Sequence, residues 1–188
     1  MELLGPSLED LFQFCDKRFT IKTAAMVGDQ MVERTQVMHE MDFIYRDVKP
    51  DNFLIGQNKK QTTVYMIDMG LVKRYKDPKT GKHVTDKPVK FLTGTARYAS
   101  MNSHMNEQSR RDDLEAIGLT MIFFLKGQLP WMGIKDIEDD KKNAAIHQCK
   151  VDTSIEVLCE GCPDAFAKYL KYCRSLKFDS KPDYVYLR

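Results

Sequence analysis

The sequence predicts an α+β chain, mainly helical, with a short β-hairpin region between its second and third long helices. Three observations predict it. Apolar residues recur at helical spacing up to residue 41 and again from residue 111. Short β-type runs fill positions 43–67. The stretch 71–100 has no clear period and is rich in Lys, Gly, Pro and Thr, as a long functional loop would be. At 188 residues, with 43% hydrophobic and 30% charged residues, the chain has the size and composition of one globular domain with a real core.

Taken in order, Gly5-Pro6 opens as a turn, and Ser7 reads as a helix cap followed by the first-turn acids Glu9 and Asp10. Leu8, Leu11, Phe12 and Cys15 then share a helix face. A longer amphipathic helix spans 21–41, with Ala24, Ala25, Met31, Val32 and Met38 on one side. Residues 43–45, 53–55 and 63–67 read as strands separated by polar turns. The helix predicted over 111–126 carries Leu114, Ile117, Gly118, Met121, Ile122 and Leu125. It is apolar nearly all round and is expected to be buried. Two more helices are expected over 139–150 and 163–176.

The net charge of +2 is too small to argue for nucleic acid, and the basic residues lack aromatic interleaving or a nucleic-acid module. No apolar run approaches the roughly 18 residues of a membrane span, and no signal-peptide pattern opens the chain, so membrane insertion is not expected. Five cysteines (Cys15, Cys149, Cys159, Cys162 and Cys173) form an odd set that suits reduced thiols in the cytoplasm or nucleus. The Cys159/Cys162 pair lacks the second ligand pair that a zinc site needs.

Two acidic clusters follow the long helix: Tyr45-Arg46-Asp47-Val48-Lys49-Pro50-Asp51-Asn52, and Asp68-Met69-Gly70 at the end of a strand-like run. Phosphoryl transfer needs metals on the phosphates, a cation on the moving group and an acceptor for the hydroxyl proton. An Asp-x-Lys-x-x-Asn loop beside a second Asp supplies all three. A lone Asp-x-x-Gly turn would read as solvated loop; the joint spacing is much more specific.

These clusters resemble the catalytic loop and the Asp-Phe-Gly element of protein kinases. The resemblance implies that Asp47 accepts the substrate proton, that Lys49 contacts the transferring phosphate, and that Asn52 and Asp68 hold Mg2+. Lys49, two places after Asp47, is similar to serine/threonine kinases, and Thr95 in Gly94-Thr95-Ala96-Arg97-Tyr98 matches the threonine that bridges the catalytic Asp and Lys. Glu2-Leu3-Leu4-Gly5-Pro6-Ser7-Leu8-Glu9-Asp10, Ser100-Met101-Asn102, Gln108-Ser109-Arg110-Arg111-Asp112-Asp113, Leu129-Pro130-Trp131 and Lys181-Pro182-Asp183-Tyr184 resemble the casein kinase I family over essentially the whole chain. The implied fold is protein-kinase-like, its C-terminal lobe from the hinge onward, forming one partial kinase domain over 1–188. The implied cofactors are ATP and Mg2+. Met1 would stand at the back-pocket gate, Leu4 at the hinge, Asp10 near the ribose and Leu54 under the base. Asp113 is expected to be buried, accepting N–H bonds from the catalytic loop.

Tyr45 and Met69 depart from the usual His and Phe, and neither removes a charged group. No Gly-x-Gly occurs in the chain, nor a Val-Ala-Ile-Lys strand; in the family these belong to a smaller lobe, expected to precede residue 1. The basic residues Lys73, Arg74, Lys76, Lys79, Lys82, Lys87, Lys90 and Arg97 would draw acidic or phosphorylated protein substrates. Lys90, Arg97 and Lys142 match the family's anion-binding positions, although Glu138, Asp139 and Asp140 stand where the family is basic. A solvated basic loop, a catalytically silent module for acidic partners, and a small-molecule phosphotransferase are the competing readings.

Overall fold

The computed structural model describes residues 3–134 and 139–188. Helix α1 (Leu8–Phe14) starts in a reciprocal cap. Ser7 Oγ accepts from the Asp10 amide at 3.0 Å, and the Asp10 carboxylate accepts from the Ser7 amide at 2.9 Å. Asp16 and Lys17 then turn through the left-handed region and end it. Its buried Phe12 meets Phe19, Phe123 and Phe124 with ring centroids 4.5–5.6 Å apart.

Thr20 caps α2 (Ile21–Glu40) by accepting from the Thr23 amide. Ala24, Met31, Val32 and Met38 are buried as the period predicts. Ala25 is not. It lies about 100° around the helix from Ala24 and borders an open groove between α2 and α6.

The β region is two two-stranded antiparallel sheets rather than one hairpin. In one, β1 (Phe43–Ile44) pairs with β4 (Lys73–Arg74), placing Ile44 opposite Lys73. In the other, β2 (Phe53–Ile55) pairs with β3 (Val64–Met66) in the register Leu54 to Tyr65. Residues 5–7 extend this second sheet: Gly5 N donates to Ile55 O at 2.8 Å and Ile55 N to Pro6 O at 3.1 Å.

Helix α3 (Arg110–Lys126) is the core element, buried at every position from Asp112 to Leu125. The Asp112 carboxylate, accepting from the Ser109 amide at 2.8 Å, starts it and Gly127, at φ 81°, ends it. It packs between α2 and α6 (Asp164–Ser175). Helix α4 (Asp139–Asp152) runs alongside the segment that precedes α3. Two four-residue helices, α5 (Ile155–Leu158) and α7 (Tyr184–Leu187), were not predicted, being too short to show a period. Among the described residues no helix is long and apolar enough to cross a membrane.

The irregular stretch after β4 is ordered by local ties. Asp77 accepts from the amides of Lys79 and Thr80, and Tyr75 OH donates to His39 O at 2.7 Å. Val89 N donates to Met105 O. A Cβ at Gly118 would stand 2.6 Å from Leu170 Cδ2 and 2.9 Å from the Tyr169 ring, so α3 and α6 touch through the missing side chain. Gly118→Val is therefore expected to lower unfolding free energy by about 1–3 kcal/mol, measured by urea denaturation. An unchanged midpoint would mean that α6 is not packed as described.

Candidate active site

The site begins on α3. Asp113 is buried, and its two oxygens accept from the backbone amides of Tyr45 (2.7 Å) and Arg46 (2.8 Å), just past β1. His39 Nε2 lies 2.9 Å from the same carboxylate, and Tyr184 OH lies 2.8 Å from His39 Nδ1. One carboxylate thus aligns the loop entrance with α2 and α7, as expected of a group buried only because its acceptors are filled. Arg46 itself adopts φ 70°, and its Nε donates to Leu71 O at 2.7 Å. Tyr45 fills the interior. Its hydroxyl, whose pKa burial pushes up, donates to Ile67 O at 2.6 Å and ties the loop to the end of β3.

Beyond Arg46 the side chains converge on Asp47. Lys49 Nζ lies 2.8 Å from Asp47 Oδ2, and Thr95 Oγ1 donates to Oδ1 at 2.8 Å. Asn52 Nδ2 donates both to Asp47 O (3.0 Å) and to Oδ2 (3.1 Å). Asp47 and Asn52 are buried while Lys49 reaches solvent. The hydrogen bond from Lys49 to Asp47, backed by the negative charges of Asp47, Asp51 and Asp68, holds the ammonium pKa up against desolvation. Gly94, at φ 94°, brings Thr95 into place. A Cβ there would stand 2.2 Å from Arg46 O, which only a glycine allows.

Asp68 approaches the same cluster from β3. Ile67 N donates to Asn52 O at 2.9 Å, which sets the two segments side by side. Asp68 turns through φ 58°, is exposed, and accepts from Gly70 N at 3.1 Å. Asn52 spends its amide N–H groups on Asp47, which leaves its amide oxygen as a hard ligand. With the Asp68 carboxylate, this pair fits Mg2+, which takes one or two protein oxygens and completes its shell with phosphate and water.

The expected nucleotide contacts lie along the sheet edge. Leu54, half-buried in β2, bridges to Ser7, and the half-buried Leu4 precedes that bridge. The Leu4 carbonyl accepts from Gln57 Nε2 at 2.9 Å. Asp10 is exposed with Oδ2 held by Ser7, and these bonds lower its pKa. Met1 lies outside the described residues.

Of the three expected anion-binding residues, the structure brings two together. Arg97 and Lys142 line a cavity of about 420 Å³ with Asp51, Thr95 and Trp131. Lys90 lines a different one, with Phe91, His104 and His147. The acids expected to weaken this region, Glu138 and the side chains of Asp139 and Asp140, lie outside what is described. Part of the basic stretch is neutralised: Lys73 pairs with Glu107 (2.9 Å), and Lys76 with Asp42 (3.4 Å).

A family model of the protein kinase domain matches residues 1–177. This chain belongs to the protein kinase domain family. Phosphoryl transfer is the reaction of that family, generally from ATP with Mg2+, and the mainly helical architecture with small antiparallel sheets agrees with a kinase-like larger lobe. Several residues that hold this kinase site carried no motif. His39 sits on the buried face of α2 like any core residue, and Lys150 (described below) shares with Ile146 the i, i+4 face of α4 that expects an apolar side chain.

Asp113→Ala would strand two backbone amides and His39 inside the protein. It is expected to lower stability by about 3–5 kcal/mol, read by urea denaturation, with Asp113→Asn costing less because it keeps an acceptor oxygen. Equal stability in wild type and Asp113→Ala would remove Asp113 as the anchor of the loop.

Proposed function

We propose that this chain carries the larger lobe of an ATP-dependent protein serine/threonine kinase of the casein kinase I type, acting on acidic or already phosphorylated proteins. The convergence of Lys49, Asn52 and Thr95 on the Asp47 carboxylate supports the reading. In it, Asp47 orients a serine or threonine hydroxyl and accepts its proton, while Thr95 and Asn52 fix the carboxylate rotamer. Lys49 places a positive charge where the moving phosphoryl group gains negative charge. Asn52 and Asp68 would hold Mg2+, which supplies charge neutralisation on the phosphates when bound. Serine/threonine preference rests on Lys49 two places after Asp47, and the casein kinase I type on the sequence stretches quoted above.

Acidic substrates are supported by the cavity shared by Arg97 and Lys142, two cations facing one space beside Thr95. The odd set of five cysteines favours work in the cytoplasm or nucleus. A second reading is a silent kinase-like module for acidic partners, which the cavity shared by Arg97 and Lys142 would serve without catalysis.

With casein and Mg-ATP, the chain alone is expected to give no turnover above its Asp47→Ala variant. Joined behind the small lobe of a casein kinase I, it should turn over, and Asp47→Ala should lower that rate by about 10²- to 10⁴-fold. An inactive composite that still binds a phosphoserine peptide, with or without Asp47, would turn the reading to the silent module. Arg97→Ala is expected to weaken that peptide about tenfold, the loss of one charge-assisted contact, measured by fluorescence anisotropy; unchanged affinity would move the anion site elsewhere.

A further inference from the structure

Lys150, on α4, is 1% exposed, yet it is a lysine. Its Nζ lies 2.7 Å from Ala96 O, 2.5 Å from Ala99 O and 3.1 Å from His104 Nε2. It also stands 5.0 Å from the centre of the Trp131 ring, and the indole N–H of Trp131 donates to Arg97 O at 2.7 Å. The carbonyls of residues 96, 97 and 99 are therefore all held from one side. This backbone directly follows Thr95, which is bonded to Asp47, and it carries Arg97 into the anion cavity.

An ammonium has three N–H donors, and Lys150 meets three acceptors. All three are neutral. His104 is stacked on His147 and kept uncharged by burial, followed by the charges of Lys150 and His147, with its pKa pulled down to about 3, so Nε2 is able to accept. The other charges that face the ammonium are Glu115 from α3 and Arg174 from α6, with Cys149 on α4 itself. Glu115 already accepts from Arg174 Nε at 2.9 Å, so it is shared rather than dedicated to Lys150. Burial, the leading cause, pulls the Lys150 pKa down to about 7, so charged and neutral forms coexist near neutrality.

We propose that Lys150 is a positioning residue whose amine clamps the backbone of residues 96–99 onto α4, and that loss of one proton from the amine tightens the clamp. The neutral amine keeps two N–H donors for the Ala96 and Ala99 carbonyls and offers its lone pair to an N–H on His104 Nε2, whereas the charged form holds an ammonium away from water, a cost that opening relieves. The consequence for substrate rests on the kinase reading above: with the clamp closed, Thr95 stays on Asp47 and Arg97 faces the anion cavity.

The test is hydrogen exchange by mass spectrometry on the peptide covering residues 92–101, for wild type and Lys150→Met, from about pH 6 to about pH 8.5 after correction for intrinsic exchange. Wild-type protection is expected to rise severalfold as pH passes from about 7 to about 8.5, because opening returns the amine to water and its ordinary higher pKa, while Lys150→Met is flat with pH and about tenfold less protected at the alkaline end. Equal protection of the two proteins at the alkaline end, or a flat or falling wild-type profile, overturns the proposal.

If Lys150→Met does not fold, carbon-13 NMR of the lysine ε-carbons in wild type decides instead. A Lys150 midpoint near 7, with amide signals of residues 96–99 moving at the same midpoint, supports the clamp. A midpoint above about 9, or titration without amide movement, overturns it. A phosphoserine peptide separates this from the functional reading. Affinity that strengthens as pH rises through the same midpoint joins the two, whereas no binding at any pH, with the exchange profile as expected, fails the substrate reading and leaves the clamp standing.

Discussion

The rest of the site depends on one buried carboxylate. Asp113 sits in the first turn of the most enclosed helix and takes both backbone amides at the entrance of the Asp47 loop, so the position of that loop is set by α3 and not by its own short strands. A two-residue strand such as β1 has no independent stability. Burying a carboxylate is costly unless its oxygens are filled, and here three donors fill them. The arrangement couples the Asp47 loop to core packing: where α3 goes, the Asp47 cluster follows.

A second layer of constraint acts between loops. The end of β3 is drawn to the Asp47 loop twice, by Tyr45 OH on Ile67 O and by Ile67 N on Asn52 O, so the backbone brings Asp68 beside Asn52. Arg46 and Asp68 both take left-handed backbone conformations that ordinary residues avoid. Such geometry persists because the surroundings over-determine it, which is typical where a loop must aim a functional group. Asp68 is the exposed member of the set, as its proposed role as a metal ligand requires.

Much of this was legible in the sequence, for definite reasons. The long helices have strong periods, and α2, α3, α4 and α6 fall within two residues of their predicted limits. The grouping of Asp47, Lys49 and Asn52 followed from motif spacing, because only a short turn separates them, whereas Thr95, 48 residues beyond Asp47, was read by resemblance. Asp113 was read as an anchor by resemblance, and the hydrogen bonds place it there. Other features were not readable. Strand pairing of 43–44 with 73–74 joins residues thirty apart, which no local pattern encodes. Ala25 faces a groove because stripe width, not period, decides exposure. Lys90 parts from Arg97 and Lys142 because their grouping depends on how the irregular segment folds over α4. A buried lysine in an otherwise polar-looking helix gives no one-dimensional sign that its charge is turned inward.

Gly94 has a consequence for how this chain tolerates change. Around the site, acids and amides have chemical substitutes of similar shape. At position 94 even a methyl group would overlap the Arg46 carbonyl oxygen, on a backbone that side-chain-bearing residues rarely adopt. The codon with the least chemistry of its own is thus the one with the narrowest room for drift, and variation there is filtered by shape before any question of reactivity arises.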